Sequence, residues 1–138
     1  MTGFILDCSI AVTWCFEDEA TPDTDLLLDR VLAEGAIVPA IWHLETGNVL
    51  LQATRRGRLT PAAMQARLEA MAMLPIRTDE TPARRAWGEV LSLARAEALT
   101  TYDAAYLELA TRRALPLATR DQALRKAAGR TGVVILPD

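Results

Sequence analysis

The chain has 138 residues and a mass of 15.1 kDa, enough to bury a core without disulfides or a structural metal, and residues 1–138 read as a single domain. Hydrophobic residues make up 51% but aromatics only 5%, so the core has to be built from Leu, Ala, Val and Ile, as helices packed on a sheet require. The net charge of −3 excludes a surface that grips nucleic acid everywhere.

From the N-terminus, Met1-Thr2-Gly3 supplies no basic leader and Asp7 cuts the first apolar run short, which reads against a signal peptide. No apolar stretch is long enough to cross a bilayer. Cys8 and Cys15, even with His43, have neither the number nor the spacing for zinc or a redox pair. They read as reduced thiols of a cytoplasmic protein. Lys126 is the only lysine among fifteen basic residues. Arginine codon preference accounts for that bias as well as phosphate binding does, but the pairs Arg55-Arg56, Arg84-Arg85 and Arg112-Arg113 leave a phosphate-binding rim open.

Short apolar runs at Phe4 to Leu6, Ala36 to Val38, around Leu74 to Ile76, around Leu117 to Thr119, and Val133 to Leu136 predict strands. A helical pattern follows each of the first four. Thr21-Pro22-Asp23 opens a helix through Leu32 with proline in the first turn, where its missing N–H costs little; Thr60-Pro61 and Thr81-Pro82 repeat the device. Gly35, Gly57 and Gly129 fall where helix ends are expected. Strands without polar alternation, alternating with helices, predict a mainly parallel sheet covered on both faces, a three-layer α/β/α sandwich. Such sheets bind ligands outside the carboxyl ends of their strands, where strand order reverses.

Four acids stand out in that frame: Asp7, Glu45, Asp103 and Asp121. Asp7 closes the first strand and either caps the next helix or leaves that task to Ser9. Wound at the helical period, the segment from Ile41 to Arg56 puts Glu45, Asn48 and Gln52 on a stripe flanked by Ile41, Leu44, Val49 and Leu51. His43, Thr46, Gly47, Leu50 and Thr54 then face outward, which makes His43 a poor acid–base group. A carboxylate on an apolar face needs a partner, either a metal ion or an arginine. Asp103 lies beside Tyr106, Leu107 and Ala110, with Glu108, Thr111 and Arg112 pointing away, and Thr100 to Asp103 matches a capping box. Thr119 and Gln122 form a second possible box, with Asp121 in the first helical turn. Capping explains three of the acids singly, whereas Glu45 has no such role.

The sequence resembles the PIN-domain nucleases and, among them, the VapC toxins of type II toxin–antitoxin systems. Leu6-Asp7-Cys8-Ser9, Glu45-Thr46-Gly47-Asn48-Val49-Leu50, Thr101-Tyr102-Asp103-Ala104-Ala105-Tyr106, and Thr119-Arg120-Asp121 with Leu124 carry the resemblance. Cys8 stands where Ala or Thr is often found. The resemblance implies a five-stranded sheet in the order 3-2-1-4-5, with Asp7 and Asp121 as neighbours at the switch point. It further implies Mg2+ or Mn2+ on the acids, endoribonuclease activity, a homodimer, and a small VapB-like antitoxin that blocks the site.

Clustered carboxylates repel by about 4 kcal/mol per close pair at an effective dielectric of 20, so they call for a cation, and hard oxygen ligands select Mg2+ or Mn2+. Asp7 and Asp103 are expected as direct ligands, with Glu45 and Asp121 acting through water or at a second metal. Ser9, Asn48 and Thr119 are expected to orient a carboxylate or a water. Hydrolysis by a metal-activated water would leave 5′-phosphate and 3′-hydroxyl ends. Three rivals compete with this reading. A phosphoacceptor receiver domain needs a lysine after a late strand, whereas Lys126 falls in a helix. An Asp-x-Asp phosphohydrolase lacks its second Asp in Asp7-Cys8-Ser9, and a catalytically silent PIN-like binding module has no need to keep all four acids.

Overall fold

The computed structural model describes residues 3–138; Met1 and Thr2, part of the start read above as lacking a leader, lie outside the described residues. Five strands, β1 (Phe4–Leu6), β2 (Ala36–Pro39), β3 (Ile76–Asp79), β4 (Leu117–Ala118) and β5 (Ile135–Leu136), pair in parallel throughout in the order β3-β2-β1-β4-β5. Helices flank the sheet on both sides, as the α/β/α reading expected. They are α1 (Cys8–Ala11), α2 (Pro22–Glu34), α3 (Ile41–Arg55), α4 (Pro61–Ala72), α5 (Ala83–Arg85), α6 (Leu91–Glu97), α7 (Thr101–Arg113) and α8 (Gln122–Arg130). A 3-10 turn extends α1 through Val12–Cys15, a second covers Glu17–Glu19, and a π-helical stretch, Ala86–Val90, joins α5 to α6.

Central β1 is wholly buried, whereas edge strand β3 reads Ile-Arg-Thr-Asp and is partly exposed. A strand covered on both faces must be apolar at every position, while an edge strand need not be. Hence β3 begins two residues later than the apolar run around Leu74 suggested. The core gathers Phe4, Ile5 and Leu6 with Leu107 and Leu109 of α7 and Leu124 of α8. At sites this buried, truncating one leucine to alanine costs about 2–5 kcal/mol.

Thr21 caps α2 through a reciprocal box with Thr24, and Thr60 caps α4 by accepting from the Ala63 N–H at 3.0 Å. The third predicted Thr-Pro start differs, because Pro82 itself occupies the cap of α5. Gly35 ends α2 with φ near +80°, where a Cβ would be strained. Gly129 lies inside α8 and not at its end.

The predicted facing of α3 is corrected. Trp42, Thr46, Leu50 and Ala53 are buried, while Leu44 is 72% exposed and Val49 and Leu51 are each 37% exposed. The mixture of apolar residues around α3 let two stripes compete, and the one carrying the large tryptophan is inside. Thr46 is tolerated there because its hydroxyl donates to the Trp42 carbonyl at 2.9 Å. Helix α4 packs against α3.

Candidate active site

The reversal of strand order falls at β1, where β2 and β4 pair on opposite sides. Asp7 extends β1 by one residue, its N–H donating to the Ala118 carbonyl at 2.9 Å, so its side chain is fixed at the sheet's carboxyl edge. It stands at the cap position of α1 but makes no side-chain cap bond. Ser9 is no cap either. Its hydroxyl donates to Asp7 Oδ2 at 2.6 Å, and Thr119 Oγ1 donates to the same oxygen at 2.7 Å. Each hydroxyl in turn accepts a backbone N–H, Ser9 that of Arg120 at 2.8 Å and Thr119 that of Asp121 at 3.0 Å. Two hydroxyls therefore lock the turn after β4 onto Asp7, which is only 5% exposed.

Asp121 is itself the cap of α8, Oδ1 accepting from the Leu124 N–H at 2.9 Å. The predicted Thr119–Gln122 box is thus replaced by a cap two residues further on. At α7, Thr100 accepts the Asp103 N–H at 3.1 Å, but no reciprocal bond from the Asp103 carboxylate closes the box. Among the described residues, no hydrogen bond or ion pair reaches that half-buried carboxylate. Glu45 emerges from α3 beside its buried stripe, and Tyr106 O–H, wholly buried on α7, donates to Glu45 Oε1 at 2.5 Å. The partner that Glu45 required is therefore a phenol and not an arginine. Asn48, expected to help from the same stripe, is exposed and bonded to none of the acids. The turn that carries it faces solvent once Trp42 and Leu50 point inward.

The acids feel one another. Burial raises the Asp7 carboxyl above its ordinary value, the hydrogen bonds from Ser9 and Thr119 oppose that rise, and the Asp121 charge adds to it. Burial also raises Glu45, with Tyr106 opposing and the Asp7 and Asp103 charges reinforcing. Asp103 is pushed up to about 6 by burial and by the charges of Asp121 and Asp7. Neighbouring Cys8 is pushed up to about 12, first by burial and then by Asp7 and Glu45, which keeps it an inert thiol. Among the described residues, no group of three or more His, Cys, Asp or Glu side chains is placed to hold a metal ion together. An open site is still suited to Mg2+, which keeps several waters and uses one or two carboxylates directly. The residues fit such an ion on two observations: Asp103 is half-buried without a partner, and its charge is disfavoured by two other carboxylates.

Tyr106 is the residue that pattern reading passed over as a contributor. Its signal was present, since a tyrosine on the buried face of a helix has to place its hydroxyl against a partner.

The arrangement is that of a PIN domain. The chain belongs to the PIN-domain family, whose model matches residues 4–130; PIN domains are generally metal-dependent nucleases, and some serve in toxin–antitoxin systems. Among solved structures, that of PAE2754 from Pyrobaculum aerophilum is 24% identical, with a TM-score of 0.75 over 98% of this chain and 90% of that one. FitAcB from Neisseria gonorrhoeae is 17% identical, with a TM-score of 0.66 over 96% of this chain and 95% of that one. At such identities the likeness is one of fold. No curated protein matches the chain.

Proposed function

We propose that residues 1–138 act as one cytoplasmic domain, a Mg2+- or Mn2+-dependent endoribonuclease of the VapC type, with Asp7, Glu45, Asp103 and Asp121 as its acidic centre. The observation that carries this reading is the unpartnered Asp103 carboxylate facing Asp7 and Asp121 at the sheet's switch point. Asp7 and Asp103 are the direct ligands in this account, with Glu45 and Asp121 acting through water. When bound, the cation offsets phosphodiester charge and acidifies a water. The protein's own groups orient the site. Ser9 and Thr119 fix which Asp7 oxygen stays turned inward, Tyr106 fixes Glu45, and the α8 cap holds Asp121.

The partners follow from the same resemblance, a VapB-like antitoxin over the site and a homodimer. One feature of the molecule supports the dimer. Trp87, 83% exposed on the π-helical stretch, stands beside a cavity of about 410 Å³ walled by Ile41, Val90, Leu91, Tyr102 and Ala105. A two-fold interface needs one patch to carry both a protrusion and its receptacle, and this apolar face has both.

The direct test is incubation of purified protein with total RNA. Fragments should accumulate in Mg2+, vanish with EDTA, and return on Mg2+ excess. RNA left intact in Mg2+ and in Mn2+, with the protein folded, would favour the silent binding module.

A further inference from the structure

The arginine pairs picked out in the sequence do not behave alike. Arg112 and Arg113 are held by Asp79 at 2.6 and 2.8 Å, Arg112 also grips Glu108 at 2.9 Å, and Arg85 lies 3.9 Å from Asp79. Their charge is largely met within the protein. Arg120 sits between Thr119 and Asp121 with its backbone N–H on Ser9 Oγ, and its side chain is 48% exposed. Its guanidinium pairs with none of the four acids. The carboxylate within its reach is Glu19, 4.0 Å away.

Glu19 belongs to the turn after α1, and its other oxygen accepts from Arg58 Nη1 at 2.6 Å. Arg58 is fixed on two further sides, by Asp18 at 2.6 Å and by stacking over the Phe16 ring at 4.0 Å. Arg58 also continues a basic run with Arg55 and Arg56, both exposed and without an ion pair among the described residues. One carboxylate thus turns its two oxygens to two guanidinium groups, one of them anchored to the acidic centre. A phosphate presents the same planar pair of acceptors to arginine.

We propose that Arg120 and Arg58 form the seat of a backbone phosphate of single-stranded RNA flanking the cleaved bond, and that Glu19 fills this seat in the free protein until the strand displaces it. The assignment rests on the ribonuclease reading for its ligand. It accounts for an arginine tied through its backbone to Ser9, a partner of Asp7, whose side chain bonds to none of the four acids. It also makes Glu19 a brake on RNA binding, since the side chain must leave for the strand to enter.

The test is fluorescence anisotropy of a labelled mixed-sequence oligoribonucleotide at low salt in EDTA, where metal-dependent cutting is silent. Arg120→Gln should weaken binding about fivefold or more and lower the slope of log Kd against log[salt] by about 0.7. Glu19→Gln should tighten binding, and Arg95→Gln, an exposed arginine on α6, should leave it unchanged. Unchanged or weaker binding by Glu19→Gln, or a loss in Arg120→Gln no larger than in Arg95→Gln, overturns the seat. Wild-type protein that binds RNA in this pattern but never cuts it in Mg2+ would remove the nuclease reading and leave the seat standing. Cutting without dependence of binding on Glu19 and Arg120 would do the reverse.

Discussion

The Tyr106 hydroxyl donates to Glu45 Oε1 across 2.5 Å, tying the second turn of α7 to the second turn of α3. Tyr106 is wholly buried, and its own ionisation is pushed far up by burial and by the Glu45 bond, so it serves as a fixed donor and never as a base. Tyr106→Phe should lower stability by about 1.5–3 kcal/mol, the range for a hydrogen bond to a charged group. With the opposing bond gone, Glu45 titrates higher, so the acidic limb of the cleavage pH profile should move to higher pH. Denaturant unfolding and a pH–rate profile check the two effects. An unmoved acidic limb would mean that Glu45 does not titrate with activity.

Thr119 is fully buried and joins two acids at once, donating to Asp7 and accepting from the Asp121 N–H. Thr119→Val keeps the shape but strands that N–H and strips Asp7 of one donor. We expect a loss of about 1–3 kcal/mol and a weaker response of the melting temperature to Mg2+. Thr119→Ser keeps the hydroxyl and should recover most of both. If Val and Ser behave alike in a thermal melt, the hydroxyl is not what fixes the turn.

Much of the fold was legible because physics writes it locally. Central β1, buried on both sides, has to be apolar throughout, and Thr21-Pro22 and Thr60-Pro61 announce helix starts by their caps. Edge strand β3 escapes that rule and was misplaced by two residues. Helices α6 and α7 end on left-handed Ala98 and Ala114 in place of glycine, so their ends carried no signal. The four acids were visible as a set, yet their bonds were not, since these depend on what faces them across the sheet. The Asp7 hydroxyl pair comes from positions 9 and 119, and only the pairing of β1 with β4 brings these together. Glu45 was singled out on a stripe that proved to be the wrong one, and it earns attention instead through Tyr106.

Three of the acids have carboxyls raised above their ordinary values. A raised carboxyl favours the fold when protonated. For Asp103 that contribution is complete below its ordinary value of 3.8 and lost as pH rises through about 6. Metal-free protein should therefore gain stability as pH falls from 7 toward 5, by roughly 1 kcal/mol for Asp103 after discounting for solvent screening. Asp79, which its arginines hold below the usual range against the effect of burial, pulls the other way only in more acid solution. Mg2+ should stabilise the protein at pH 7 and flatten the slope, and Asp103→Asn should flatten it without metal. Melting curves at several pH values in EDTA decide the matter, and stability that falls steadily from pH 7 to 5 would contradict it.

Trp87→Glu places a charge on the apolar protrusion without disturbing the core, since the side chain is 83% exposed. Light scattering after gel filtration should show the wild type as a dimer and this variant as a monomer with unchanged circular dichroism. Met73→Glu, on α4's C-terminal end and 84% exposed, should remain dimeric. Dissociation by both variants would place the interface elsewhere.

Whether these acids hold a metal that drives hydrolysis of RNA is decided by mapping fragment ends made by wild type and by Asp7→Asn. The wild type should leave 5′-phosphate and 3′-hydroxyl ends in Mg2+, and Asp7→Asn no fragments although it folds at least as stably in EDTA. Undiminished cutting by Asp7→Asn, or fragments ending in a 2′,3′-cyclic phosphate, would contradict it.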